Sequence, residues 1–340
     1  MRYACTTLAG SGKRLSQIGL GTWQFGSTEW GYGPAYDGRE AAAIVRRALE
    51  LGITVFDTAE IYGRGRSEQI LGAALRDADA DPQAIVIASK IFPVLPWEPV
   101  VQQRAVASAR RLGVREIDLY QVHQPNPVIK DGTTMRGMAA LREVGLIGEV
   151  GVSNYDLDRW RAADRALAQA CTGVPPVVLS NQVQYSLVHR DPEEALVPFA
   201  RDNGRLILAY SPLTQGLLSG RFTAGTAVTG VRTANKHFLP DNQRAAAALI
   251  DTVRDVAATR GVSASMVALA WVIRHPFVVA IPGASSVAQL ESNVAAAELE
   301  LSPSDIATLD AAAASYRPTT GWASASALLK ETARRRLRRS

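Results

Sequence analysis

Cysteine is nearly missing from this chain. Two residues, Cys5 and Cys171, among 340 cannot build a disulfide framework or a four-cysteine zinc site, and they fit a reduced, cytoplasmic setting. Long apolar runs are missing too. No stretch approaches the roughly 18 consecutive apolar residues that read as a membrane helix, and the N-terminal region has no basic start followed by an apolar run. Neither a membrane span nor a secretory leader is expected. Nucleotide-binding glycine motifs are equally sparse. Gly19 to Trp23 contains a G-x-G without the third glycine, and Gly31 to Gly33 follows no strand, so a doubly wound dinucleotide fold lacks its fingerprint.

Positive charge is scarce on the body of the chain. The formal excess of +5 comes from 37 Lys and Arg against 32 Asp and Glu. From Lys330 to Ser340 stand six basic residues (Lys330, Arg334, Arg335, Arg336, Arg338 and Arg339) and one acid, Glu331. Subtracting them leaves 31 against 31. A basic face for nucleic acid is therefore not expected on the folded part. Residues 330–340 read as a basic C-terminal tail and residues 1–329 as one domain, a size that suits a single barrel with insertions.

What the chain does have is alternation. Short β-branched runs, Ile18 to Trp23, Ile53 to Thr58, Ile85 to Lys90, Ile117 to His123, Glu149 to Asn154, Val177 to Gln182, Leu206 to Ser211 and Phe277 to Pro282, are separated by Ala-, Arg- and Leu-rich helical segments. Those segments carry single apolar stripes, such as Val101, Ala105, Ala109 and Leu112, or Leu196, Phe199 and Ala200. Eight such units predict an α/β fold of the closed (β/α)8 TIM barrel type. Most runs end in polar residues: Asp57, Lys90, His123, Ser153 and Asn154, Gln182, then Tyr210 and Ser211. Strands buried on both faces of an open parallel sheet should be apolar throughout, whereas barrel strands deliver their last residues to one mouth. Residues 1–17 are expected to form an N-terminal hairpin capping the barrel floor. Residues 219–240, with Arg221, Arg232 and Lys236, form a long loop suited to an anionic ligand, before a helix beginning near Asn242. Extra helices follow toward the C-terminus.

Asp57, Tyr62, Lys90 and His123 come from three successive strand ends or the loops after them. A phenol is a poor acid near neutral pH, and an adjacent ammonium favours the phenolate. Lys90 can serve Tyr62 in this way, with Asp57 keeping the lysine charged and aimed, while His123 donates to a carbonyl oxygen. Singly, Asp57 and Lys90 read as an internal ion pair and His123 as a core histidine. Jointly, they make a proton-donating site for carbonyl reduction.

The motifs around these residues resemble those of the aldo-keto reductases. Phe56-Asp57-Thr58-Ala59 with Tyr62-Gly63 and Ser67-Glu68, Ala88-Ser89-Lys90, and Asp118 to His123 stand in that family's order. Gly151-Val152-Ser153-Asn154, Asn181 to Tyr185, Ala209 to Leu213 and Ile281 to Ser285 follow, and the likeness covers about residues 14–300. The resemblance implies a nicotinamide-dependent carbonyl reductase with Tyr62 as proton donor, Lys90 and Asp57 as its tuning pair and His123 as the carbonyl-orienting group. It implies Ser153, Asn154 and Gln182 at the carboxamide, Tyr210 stacked on the nicotinamide, and Thr22 and Trp23 nearby. Along the pyrophosphate it implies Ser211, Pro212, Leu213, Thr214 and Gln215 with Arg221 and Arg232. At the adenosine end it implies Ser285, Gln289 and Asn293, with Asp57 and Gly283 as further cofactor-binding residues. Many NADPH-preferring members have an arginine near 285 or 289, and Ser292 stands where a glutamate toward adenine is common. The cofactor expected is NADPH, with NADH as the alternative.

Trp23, Trp30, Tyr32, Phe92 and Trp97, with His123, are candidates for the wall of a substrate pocket. The expected partner is a small-molecule carbonyl compound, with no nucleic acid and no membrane. Two other functions compete. A cofactor-binding regulatory or sensor subunit resembling potassium channel beta subunits would tend to lack His123, which is present. A Schiff-base aldolase using Lys90 would need a less cationic lysine than one paired with Asp57.

Overall fold

The chain opens with an antiparallel hairpin, β1 (Tyr3–Thr7) and β2 (Arg14–Ser16). Eight parallel strands follow: β3 (Leu20–Gly21), β4 (Val55–Asp57), β5 (Val86–Ile91), β6 (Ile117–Val122), β7 (Ile147–Ser153), β8 (Val178–Gln184), β9 (Leu206–Tyr210) and β10 (Val278–Ala280). They are neighbours in sequence order, and each matches one of the predicted runs. This computed structural model describes residues 1–8, 11–26, 38–171, 173–223 and 225–321.

The sheet closes on itself. Ile18 pairs with Ala280 and Gly21 with Gly283 in parallel bridges. The Gly19 N–H donates to the Ala280 carbonyl at 2.8 Å and the Gly21 N–H to that of Pro282 at 3.1 Å. A Cβ at position 21 would stand 2.6 Å from the Ile281 carbonyl oxygen, so only glycine lets the seam come this close. Because the seam consists of separate bridges, β3 and β10 are shorter than the runs that predict them. The result is the expected (β/α)8 barrel, and the doubly wound alternative is excluded by this closure.

Ten α-helices occur among the described residues: α1 (Arg39–Glu50), α2 (Arg66–Asp77), α3 (Glu98–Leu112), α4 (Asp131–Glu143), α5 (Leu157–Ala170), α6 (Pro192–Asp202), α7 (Pro240–Arg260), α8 (Ala264–Val272), α9 (Val287–Ala295) and α10 (Pro303–Ser315). The stripe read on α3 is buried at all four positions. On α6 the Phe199 ring is only half-buried, meeting Trp160 edge-on with centroids 5.0 Å apart. Local chemistry sets the helix ends. The Asp156 carboxylate accepts the Arg159 N–H at 2.8 Å to start α5, and Ser302 and Asp305 form a reciprocal capping box at α10.

Two cores result. The larger lies between the strands and the surrounding helices. The smaller fills the barrel, where Val55, Val86, Leu119, Leu179, Leu208 and Val279 meet Leu8 and Leu15 from the hairpin. Truncating one of these, such as Leu119, to alanine is expected to cost about 2–5 kcal/mol. The hairpin is therefore the barrel floor, and Lys13 fastens it to β6 through Asp118, Nζ to Oδ1 2.5 Å.

The long connection after β9 has local structure. Short 3-10 turns occupy Gly230–Ala234 and Lys236–Phe238. The helix after them begins at Pro240, two residues before the expected start, because a proline is well suited to a first helical position. No helix among the described residues is long and apolar enough to cross a membrane. Residues 330–340 lie outside the described residues.

Candidate active site

The strand ends converge as parallel closure requires. Asp57 is the last residue of β4, Lys90 the fifth of β5, and Ser153 and Tyr210 end β7 and β9. His123 follows β6 directly and its N–H donates to the Ile91 carbonyl at 2.9 Å. A cavity of about 650 Å³ opens among them, with Asp57, Tyr62, His123, Ser153, Gln182 and Tyr210 in its wall.

Lys90 is fully buried. Its Nζ donates to Asp57 Oδ1 at 2.6 Å and to the Thr58 carbonyl at 2.8 Å. Burial disfavours the ammonium, but Asp57 and Tyr62 together outweigh it, and the lysine is held above its ordinary value. It therefore stays cationic, which argues against an amine nucleophile. The other carboxylate oxygen, Asp57 Oδ2, accepts from Gln182 Nε2 at 2.8 Å and from Gln121 Nε2 at 3.4 Å. Behind this pair, Ser67 Oγ donates to the Thr22 carbonyl at 2.8 Å and shares bonds with the hydroxyls of Thr22 and Thr58.

Lys90 Nζ lies 5.1 Å from the centroid of the Tyr62 ring. The sequence reading expects this ammonium to lower the phenol's pKa. In the folded protein burial is the larger effect, and Lys90 only partly offsets it, so the net direction is upward. The physical reason is desolvation: a phenolate in this wall loses more hydration than one ammonium replaces. His123 is pushed down to about 3, first by burial and then by Lys90. Its ring is neutral at physiological pH, and it stands edge-on to both Tyr62 (centroids 5.6 Å, 85°) and Phe92 (5.8 Å, 82°).

Asn154 takes a left-handed backbone conformation, φ +60°. Its Nδ2 donates to Ser153 Oγ at 3.0 Å and to the His123 carbonyl at 3.3 Å, while Oδ1 accepts from the Tyr210 hydroxyl at 2.9 Å. These bonds leave a complementary pair. Ser153 keeps its O–H as a donor, and Gln182, whose NH₂ serves Asp57 and Gln121, keeps its carbonyl oxygen as an acceptor. One donor and one acceptor beside the Tyr210 ring fit a flat heteroaromatic carboxamide.

The far end of the cavity suits an anion. Ser211, Pro212, Leu213, Gln215, Arg221 and Arg232 line it, as do Gly283, Ser285, Gln289 and Asn293. Arg232 Nε donates to the Gln215 carbonyl at 2.8 Å, fastening the long connection to the turn after β9. Helices α8 and α9 both begin here, capped by Ser263 and Ser286, so their N-terminal N–H groups add positive potential. Gln289 Oε1 accepts from both the N–H and the hydroxyl of Ser285, at 2.9 and 2.8 Å.

Thr22, Trp23 and Phe92 line the cavity as expected. Three predicted residues do not. Lys90 is fully buried beside Asp57 and forms no part of the cavity wall. Thr214 is fully buried behind the turn, within 3.2 Å of Ser186 Oγ, because its φ of +50° turns the chain inward. Trp97 is half exposed at the start of α3, outside the cavity wall, because its N–H closes a turn on the Leu95 carbonyl. Trp30 and Tyr32 lie outside the described residues. The sequence reading misses Gln24, Gln124, Ser219, Ser263 and Ser265, which also line the cavity. Ser263, a cap before an apolar helix, carries a readable signal. Gln24 carries none: it faces the site because its amide donates to the Ala284 carbonyl at 2.8 Å across the seam.

A closed barrel whose mouth gathers a buried lysine–aspartate pair, a phenol and a neutral imidazole beside a carboxamide-sized donor–acceptor pair is the design of a barrel oxidoreductase. Residues 17–314 match the Aldo/keto reductase family model, and the chain belongs to that family. It is 53% identical to an uncharacterized oxidoreductase of Mycobacterium tuberculosis over 307 residues, covering 90% of this chain and 92% of that one. Among solved structures it is similar to an aldo/keto reductase from Klebsiella pneumoniae in complex with NADP and acetate (TM-score 0.71, 29% identity, 93% and 96% of the two chains). It is also similar to a glycerol dehydrogenase from Gluconobacter oxydans (TM-score 0.81, 26% identity, 94% and 97%). Among the described residues no cluster of His, Cys, Asp and Glu could hold a metal ion.

Proposed function

We propose that this protein reduces a small aldehyde or ketone, taking a hydride from NADPH and a proton from Tyr62. The observation that carries the reading is the 2.6 Å contact between buried Lys90 and Asp57 beside the Tyr62 and His123 rings. Bound reduced nicotinamide supplies the hydride. Ser153 and Gln182 hold its carboxamide and Tyr210 flanks its ring, while the α8 and α9 N-termini with Arg221 and Arg232 receive the phosphates. The NADP complex of the Klebsiella relative supports the choice of cofactor.

His123 orients the substrate. Its neutral ring carries one proton, and Nδ1 is buried with no hydrogen-bond partner among the described residues, so the Nε2–H tautomer presents the donor to a carbonyl oxygen. Tyr62 then protonates that oxygen as negative charge develops on it. In the resting site burial keeps the phenol protonated, and Lys90 stabilises the phenolate left behind. Trp23 and Phe92 form the apolar wall.

A panel of aldehydes, ketones and quinones, followed by the loss of NADPH absorbance, tests the proposal. Turnover of at least one carbonyl class with NADPH supports it. Tight NADPH binding without turnover of any would favour a regulatory or sensor role.

A further inference from the structure

Glu60 and Arg104 form an ion pair that the chemistry above does not use. Glu60 lies in the segment between Asp57 and Tyr62, and its carboxylate is 9% exposed. Arg104 comes from the middle of α3. Their contacts close a ring around one residue. Glu60 Oε1 accepts the Phe92 N–H at 2.5 Å, Arg104 Nη1 donates to the Phe92 carbonyl at 2.7 Å, and Arg104 grips Glu60 twice, Nε to Oε2 at 2.9 Å and Nη2 to Oε1 at 2.5 Å. Both backbone polar groups of Phe92 are thereby met by one side-chain pair, with the Val94 N–H as a second donor to the Phe92 carbonyl at 2.8 Å, and the pair also ties the Tyr62 segment to the loop after β5.

The consequence falls on His123. A histidine that must aim one ring nitrogen is ordinarily oriented by a hydrogen bond at the other. Here Nδ1 has no partner among the described residues. The ring is instead set between the Phe92 and Tyr62 rings, both near-perpendicular to it at 5.8 and 5.6 Å. We infer that Glu60 and Arg104 are positioning residues, a clamp that fixes Phe92 and through it the aim of the His123 imidazole. The burial of Glu60 adds weight: bringing a carboxylate here costs desolvation, which raises its pKa despite Phe92 and Arg104, and an exposed pair would hold the backbone less firmly.

The inference rests on the proposed role of His123, so the test has one arm that needs no turnover. The imidazole signals of the intact protein, which has four histidines, are recorded by NMR and His123 is assigned with H123N. In R104M, and in the milder R104K, the His123 ring signals are expected to move or broaden while those of the other three stay. In the second arm, kcat for a carbonyl found in the panel is expected to fall about tenfold in R104M, short of the roughly 10²-fold that a 1 Å misplacement can bring. The dissociation constant for NADPH should change less than about twofold, and R104K should lie between wild type and R104M. Unmoved His123 signals in R104M, with the fold intact by circular dichroism, overturn the clamp whether or not the protein reduces carbonyls. Moved signals with unchanged kcat overturn its catalytic importance. If no carbonyl is turned over, the proposed function fails and the NMR arm still decides the clamp.

Discussion

The Gln182 side chain donates to Asp57 Oδ2 at 2.8 Å, across the barrel mouth and 125 residues away in sequence. This bond joins the residue proposed to hold the nicotinamide carboxamide to the one that keeps Lys90 charged. It fixes which end of the Gln182 amide faces the cofactor, since the NH₂ is already committed. The proposed cofactor subsite and the proposed proton-donating subsite therefore share one hydrogen-bond network, and a change at either residue should be felt at both.

The Tyr62 hydroxyl can be removed while the ring is kept. Y62F should lower kcat for carbonyl reduction by about 10² to 10⁴-fold, the range general acids contribute, with NADPH affinity nearly unchanged. Steady-state kinetics and a fluorescence titration of NADPH check both halves. Retention of more than about a tenth of kcat would remove Tyr62 from the role of proton donor.

Asp57 carries a structural burden as well. D57N leaves the Lys90 ammonium buried without its counter-charge, a situation that costs about 3–5 kcal/mol when a buried pair is broken. The lysine is then expected to lose its proton more readily, and Gln182 loses the anionic acceptor for its NH₂. Urea unfolding should give a lower midpoint. NADPH affinity should also fall, through Gln182, which sets this variant apart from Y62F. A midpoint and an affinity both matching wild type would contradict the network described above.

Much of this arrangement is legible in the sequence because barrel closure turns strand ends into a common site. Asp57, Lys90, Ser153, Gln182 and Tyr210 announce themselves as polar residues ending apolar runs, and each lies at the mouth. The sequence is silent where a contact depends on a turn. Trp97 and Leu95 differ little as text, yet the Leu95 backbone at φ +47° swings Trp97 away from the cavity. The balance of forces at Tyr62 is hidden for a related reason. The presence of Lys90 can be read from spacing, but the extent to which the phenol is dehydrated is set by packing among residues far apart in the chain.

The pH dependence follows from His123. Its conjugate acid is held down at about 3, so the ring is neutral well below the ordinary histidine range. Protonation would block the Nε2–H tautomer's use as a neutral donor and add a second cation beside Lys90. The profile of kcat/KM, which reports the free enzyme, should therefore show no acidic inflection near the unperturbed value of about 6.5. An inflection there that disappears in H123N would mean that the imidazole is charged in the working site.

Cofactor preference is expected to turn on the α9 N-terminus. Gln289 folds back on Ser285 through Oε1, so position 289 itself offers an amide and not a guanidinium. Discrimination between NADPH and NADH should be modest, resting on the helix N-termini, whose partial charge is weaker than a formal one. Q289R would replace a local cap by a fork suited to a phosphate, and a charge-assisted contact of roughly 1.5–3 kcal/mol should raise the NADPH-to-NADH affinity ratio by tenfold or more. The same substitution frees Ser285, whose hydroxyl and N–H then become available to the same group. Dissociation constants for both cofactors, measured at low and high salt, decide the matter: a gain that shrinks as salt rises is the expected signature of a partly exposed charge contact. A ratio that does not move would show that residue 289 does not face the ribose 2′ position.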